Sequence, residues 1–330
     1  MILRLFKFYS IRSDRNANRA FGTFLFYNGV ENRNEQMKID LSQSPEVIFR
    51  PPEYARLKKA GLSGADMHYH TNHSDSHTRV RDALKLAKFK GIGLSITDHN
   101  QISGYFEAKR IDDSVLCIPG TEVSAWDGPH ILLYFFSGGD MEECYKKRIE
   151  DKKSSSPYLA TKLSTEDIVE IAQDYNCLTI AAHPFGYLLF NKGLGKCIER
   201  EYLHPKIISD FSGLEVICGG MTRKLNLKAA GLAYENKLCM TGGTDGHLLR
   251  DLGNVLTCSY AEDTEDFLEE IIHRRNYVVG QEKSLIEKGV MATAIMPKYF
   301  RYTAPSLRIH YSQNAPRLKH FGEKYLSRKK

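Results

Sequence analysis

From about Gly61 to about residue 285, short apolar runs alternate with segments whose apolar residues recur at helical spacing, the pattern of successive β/α units. "GADMHYH" predicts a first strand, "RVRDALKLAKFKG" a helix stopped by Gly91, and "IGLSITDHN" the next strand. Further strands are expected at "VLCIPGTEVSA", "HILLYFF", "CLTIAAHPF", "GLEVICGG" and "LCMTGGTDGH". Helices are expected at "STEDIVEIAQDYN", "RKLNLKAAGLAYEN" and "DTEDFLEEIIHRR". About seven strands, mostly separated by helices, predict an α/β fold and favour a barrel over an open sheet. The polar stretch from Gly138 to Ser164, which includes "KKRIEDKKSSSP", breaks the alternation and reads as an inserted surface loop or lid.

The flanks differ from this body. In the first 60 residues, "MILRLFKFYSIRS" and "AFGTFLFYNGV" are aromatic-rich, partly alternating strand candidates around the polar "DRNANRA", which suggests a small β-rich appendage. "SPEVIFRPPEYARLKKAGLSG" carries a Pro-Pro break and a glycine turn, placing a boundary near Gly61. The expected organisation is an appendage over 1–60, a β/α domain over 61–285 and an extension over 286–330, with no internal repeat.

Composition narrows the class. With 42% hydrophobic and 26% charged residues, the 330-residue chain can bury a substantial core, so disorder of the whole is excluded. No apolar run reaches the roughly 18 residues of a membrane span, and the start lacks the pattern of a secretory signal, so the expected location is cytoplasmic. Seven cysteines stand singly without a CxxC pair, which argues against a disulfide framework and against a thiolate metal site. The formal charge of +6 is uneven: residues 291–330 hold nine Lys or Arg and one Glu, leaving −2 for the rest. Such a tail attracts nucleic acid or an anionic membrane, or serves as a solvated surface. "KYFRYTAPSLRIHYSQ" interleaves aromatic and basic residues, as binders of single-stranded nucleic acid do.

The chemistry lies in where acids and histidines fall. His68 and His70 close the first strand, Asp98 and His99 follow "LSIT", and Glu122 follows "LCIPGT". His130 opens "ILLYFF", His183 follows "LTIAA", and Asp245 and His247 follow "CMTGG". Six of the twelve histidines thus occupy strand ends. In a β/α barrel the loops after the strands converge on one face, so these positions would share one pocket. Residues i and i+2 on a strand share a side, so His68 and His70 can grip one ion together, as can Asp245 and His247. Imidazole and carboxylate without thiolate suit Zn, Mn or Fe, and Glu122 can bridge two ions.

"DMHYHTNHSD", "LSITDHN", "GTEVSAWDGPH", "AAHPFG" and "GGTDGH" occur in order, and over roughly residues 64–280 the chain resembles the PHP family, named for polymerase and histidinol phosphatase. The resemblance implies a distorted barrel of seven β/α units and a trinuclear metal site. By motif, one ion would be held by His68, His70, Glu122 and Asp245, with Glu122 bridging to a second on His130 and His183. A third would take Asp75, His99 and His247. Where the family commonly shows Ser-Asp-Gly, this chain has Ser74-Asp75-Ser76 between His73 and His77, either of which is a candidate to replace or supplement Asp75. "IPGTEVSAWDGPHILLYFF" is similar to the branch that hydrolyses nucleoside phosphates.

The expected function is hydrolysis of phosphate esters, small monoesters or nucleotides, with two or three divalent ions and a bridging hydroxide as nucleophile. Asp98, His99, Glu122 and His247 are the candidate catalytic residues. Arg79, Arg81, Arg223 and Arg250 are the candidates for gripping phosphate, since a guanidinium donates two hydrogen bonds at once. The other class of reading is a metal-stabilised binding or regulatory module that engages nucleic acid or protein through its terminal extensions.

Overall fold

The computed structural model describes residues 46–186 and 193–327. The two aromatic-rich runs expected as strands of an N-terminal appendage lie outside the described residues. In chain order the first half comprises β1 (Glu46–Ile48), α1 (Tyr54–Lys59), β2 (Ser63–Tyr69), α2 (Val80–Lys90), β3 (Gly93–Ile96), α3 (Ser103–Ile111), β4 (Gly120–Ser124), β5 (His130–Phe135), α4 (Gly138–Cys144) and α5 (Thr165–Gln173). The second comprises β6 (Cys177–Ala181), α6 (Leu194–Glu199), β7 (Gly213–Cys218), α7 (Arg223–Glu235), β8 (Cys239–Gly243), β9 (Val255–Ser259), α8 (Thr264–Ile272), β10 (Tyr277–Gly280), α9 (Leu285–Tyr299) and α10 (Thr303–Ser327). Local signals set several ends. Gly91 caps α2 with φ 67, a left-handed turn that costs glycine little, and Ser164 with Asp167 forms a reciprocal capping box on α5.

The strands form two five-stranded sheets, ordered β1-β10-β9-β2-β3 and β4-β5-β6-β7-β8. They meet along two seams. On one, Leu94 bridges Cys117 and His99 bridges Glu122; on the other, Tyr69 bridges Gly246. The expected barrel is therefore not closed by continuous pairing: each seam is held by isolated bridges. Two features of the chain account for this. β4 and β5 form an antiparallel hairpin with no helix between them. β9 and β10 add an antiparallel layer beside β2 instead of a further β/α unit.

β5 shows why the interior has two compartments. Ile131, Leu133 and Phe135 join the larger core with α2 and α5, while Leu132 and Tyr134 point to the inner cluster with Met67, Ile118 and Ile180. All five are fully buried, each such burial stabilising by about 1.5–3 kcal/mol. The Tyr134 hydroxyl crosses the interior to donate to the Met67 carbonyl at 2.5 Å, fixing β2 against the second sheet.

The reading of 138–164 as a loop holds for 153–164, which contain no helix or strand, and is corrected for the part before them. Gly138–Cys144 is helical, and a π-helical turn over Tyr145–Ile149 continues it. Met141, Cys144, Tyr145 and Ile149 recur at helical spacing and are buried. Lysines and glutamates on the outer face hide this stripe in the sequence. The seven cysteines are free, six of them buried. Among the described residues no helix is long and apolar enough to cross a membrane.

Candidate metal centre

β2 brings His68 and His70 to one point, their Nε2 atoms 3.1 Å apart. Asp245, beyond the end of β8, places Oδ1 3.2 Å from His70 Nε2 and 3.6 Å from His68 Nε2. The approach of β8 to β2 depends on Gly243, where a Cβ would lie 2.4 Å from the His68 backbone nitrogen. Glu122, on β4, divides its two oxygens. Oε2 lies 3.4 Å from both His68 and His70 and 2.8 Å from His99 Nδ1. Oε1 lies 2.9 Å from His130 Nδ1 and 3.1 Å from His183 Nε2. Asp75 faces His247 Nε2 at 3.1 Å and His99 Nε2 at 3.6 Å.

All nine residues named from the motifs therefore lie in one cluster, each at most 7% exposed. Three sets have ligand atoms within 4.8 Å of one another: His68, His70 and Asp245; His99, Glu122 and His130; and His70, Asp75, His99 and His247. His99 and His70 each belong to two sets, a sharing that the motif-based apportionment did not contain. His183 and Asp245 take left-handed backbone, φ 29 and φ 46, the kind of conformation held in place where side chains converge on a site.

The surrounding residues hold the cluster in shape. Glu215 on β7, which sequence reading missed, accepts His68 Nδ1–H at 3.0 Å on Oε1 and the His183 backbone N–H at 2.6 Å on Oε2. Its signal was a lone carboxylate inside the apolar run "GLEVICGG", a residue type seldom fully buried unless paired. Asp98 spends both oxygens on the turn after β2, accepting from Thr71 N (2.7 Å), Thr71 Oγ1 (2.6 Å) and Ser74 Oγ (2.6 Å). Asp66 accepts from Thr244 and Gly253 and ties β2 to the loops around β8 and β9; burial pushes its pKa up to about 6. Lys283 and Tyr299 also reach the centre from the C-terminal segment, and no sequence pattern announced either.

His73 is drawn away by Glu107 (2.5 Å) and Ser103 (2.7 Å), and His77 is exposed. Asp75 is thus the member of "HSDSH" that enters the cluster. The four candidate arginines are all exposed. Arg223 is occupied by Glu282 (3.0 Å) and lies over the Phe49 ring at 4.5 Å.

The electrostatics fit a cation. Burial alone would raise the carboxyls of Asp75, Glu122 and Asp245, yet the surrounding imidazoles hold all three well below the usual range. Burial lowers His70 to about 4, helped by His247 and His99, so this ring is neutral. Burial also acts to lower His247, but Asp75 and Asp245 outweigh it and raise the ring to about 9. Buried anionic carboxylates and imidazole nitrogens in mutual contact are a donor set for divalent ions. Glu122 Oε2 and His247 Nε2 are buried with no hydrogen bond of good geometry despite close neighbours of opposite type. That arrangement suits atoms whose partner is a cation. Zn, Mn or Fe fits this donor set, and among the described residues no cysteine enters it.

Comparison with known proteins agrees in region and fold. The family described as PHP-associated matches residues 223–276. An uncharacterized protein of Methanocaldococcus jannaschii is 31% identical over 135 residues, 37% of this chain and 67% of that protein. Endonuclease Q, solved with a 27-mer duplex substrate bearing an abasic lesion at the active site, superposes with a TM-score of 0.52 at 17% identity. The overlap covers 67% of this chain and 60% of that one. The lesion-specific endonuclease of Pyrococcus furiosus gives 0.50 at 18% identity, over 66% of this chain and 57% of its own. The chain spans less than two thirds of either endonuclease, and the likeness is one of fold.

Proposed function

The chain belongs to the PHP family, and from that premise we propose that it is a metal-dependent phosphoesterase that hydrolyses phosphate esters of small molecules or nucleotides. The observation that carries this reading is Glu122: its two oxygens face two different groups of histidines inside a buried centre. A carboxylate so placed could serve two ions at once, which would supply the chemistry used for phosphoryl displacement. Two or three divalent ions, Mn, Fe or Zn, would be held by His68, His70, Asp75, His99, Glu122, His130, His183, Asp245 and His247. When bound, they supply an activated water and neutralise charge on the phosphoryl oxygens.

The chain's own residues prepare the site. Glu215 fixes the His68 ring so that Nε2 presents its lone pair inward. Asp98 holds the turn that carries Asp75 and does so from outside the cluster. Both nitrogens of His99 face carboxylates, which favours ligation over proton transfer for this ring. Arg79, Arg81 and Arg250 are assigned the steering of phosphate from solvent. The isolated bridges at both seams support reading β2 to β8 as the family's distorted seven-unit barrel, with β1, from within the expected 1–60 appendage, paired to β10 in the first sheet and residues 286–330 as an extension.

Metal analysis combined with an activity screen tests the proposal. The screen covers nucleotides, nucleoside bisphosphates, sugar phosphates, histidinol phosphate and short oligonucleotides, with Mn added. Two or three retained equivalents and turnover on a phosphate ester are expected. Full metal occupancy with no hydrolysis across the panel would overturn the catalytic reading.

A further inference from the structure

The C-terminal helices cross the mouth of the centre. Before α9, Lys283 donates to the Asp245 carbonyl at 2.9 Å and lies 3.2 Å from Asp251 Oδ2. At the end of α9, the Tyr299 hydroxyl donates to Asp75 Oδ2 at 2.9 Å, while Asp75 Oδ1 faces His247. The Tyr158 ring packs edge-on against Tyr299 and Tyr302, with centroids 6.2 Å and 5.7 Å away. Further along, Ser306 Oγ lies 2.9 Å from Ser156 Oγ, and buried Gln313 donates to the Trp126 carbonyl at 2.8 Å. The 156–158 segment is itself tied to the site, because Asn100, next to His99, donates to the Pro157 carbonyl at 2.8 Å. The strap therefore runs from Asp245 over Asp75 to the segment beside His99, and on to the residues that follow β4.

A solvated tail would not place a tyrosine hydroxyl on a buried carboxylate or bury a glutamine against a backbone carbonyl, since water satisfies those groups without the loss of chain entropy. We propose that Tyr299 is a positioning and specificity-determining residue: its hydroxyl orients Asp75, and the strap it anchors limits the centre to phosphate esters of small alcohols. By occupying one oxygen of Asp75, Tyr299 aims the other at the His247 side, as outer hydrogen bonds orient ligating carboxylates. A duplex or long single strand must continue past the reacting phosphate in both directions, and the strap spans that path. This inference rests on the phosphoesterase reading and names its substrate class.

The test uses the full-length, metal-loaded protein. Ser156→Cys with Ser306→Cys should form a disulfide that locks the strap, and the oxidised form should still turn over p-nitrophenyl phosphate while leaving a phosphorylated oligonucleotide intact. Tyr299→Phe removes only the hydroxyl; it should release metal to a chelator about 10–100-fold faster and lower kcat with little change in KM. Tyr299→Ala should in addition admit the oligonucleotide and speed hydrogen exchange of the backbone amides over 294–307. The proposal is overturned if the disulfide abolishes p-nitrophenyl phosphate turnover and reductant restores it, because the strap must then open. It is equally overturned if neither Tyr299 variant alters metal release or hydrogen exchange. Altered release and exchange in a protein inactive on every ester would instead remove the phosphoesterase reading and the substrate class with it, leaving Tyr299 as the residue that orients Asp75.

Discussion

Glu215 and His68 form the link between the wall of the fold and the metal centre: the carboxylate accepts His68 Nδ1–H at 3.0 Å, and its second oxygen takes the His183 backbone N–H at 2.6 Å. One buried side chain thus sets a tautomer on β2 and the backbone position of a histidine after β6. Glu215→Gln should keep the fold but weaken metal binding or turnover by about 10–100-fold. Metal content and kcat/KM measured on the same preparation check this. Unchanged metal affinity would show that the ring is oriented by other contacts.

His70 and His130 differ in how many sets they join, two against one. His70→Ala should therefore lower metal content by more than one equivalent and abolish turnover. His130→Ala should cost one equivalent and leave the His68, His70 and Asp245 group filled. Equal losses from the two variants, read by elemental analysis after gel filtration, would contradict this division.

In the metal-free protein His247 is protonated below about 9, because Asp75 and Asp245 outweigh the effect of burial. Ligation needs the neutral ring, so metal binding at pH 7 must expel that proton, and affinity must rise as pH climbs from 7 towards 9. The slope is about tenfold per pH unit for each proton released. His70, lowered to about 4, contributes nothing in this window. Titration calorimetry in two buffers of different ionisation enthalpy measures the proton count; an affinity flat from pH 7 to 9 is the contrary outcome.

Asp98 accepts three buried hydrogen bonds from Thr71 and Ser74. Asp98→Ala should lower stability by about 2–3 kcal/mol, since buried donors are left unpaired, and turnover should fall because the turn carrying Asp75 loosens. Thermal unfolding and metal content together separate this role from direct catalysis. A variant of native stability and full metal content that is nevertheless inactive would place Asp98 among the reacting groups.

Much of the fold was readable because periodicity is a local property. "GADMHYH", "HILLYFF" and "CLTIAAHPF" are apolar runs of strand length; β5 and β6 sit within theirs, and β2 begins one residue before its own. The helix over Gly138–Cys144 was not readable, because charges on its exposed face masked a narrow buried stripe. The hairpin of β4 and β5 went unforeseen for a related reason: seven apolar runs do not say which neighbours pair antiparallel.

The sequence by itself placed these histidines and carboxylates at or near strand ends, and the spacing of His68 and His70 follows the geometry of extended chain, whereas Asp245 lies beyond β8 with φ 46 and falls in a different set from His247. Only the tertiary structure decided how those residues group, since His99 and His70 are shared between sets through contacts far apart in sequence. It alone assigned Glu215 to His68 and laid the basic C-terminal segment across the centre through Tyr299. Both are long-range pairings, made by packing and hydrogen bonding between residues whose separation along the chain carries no periodic signal.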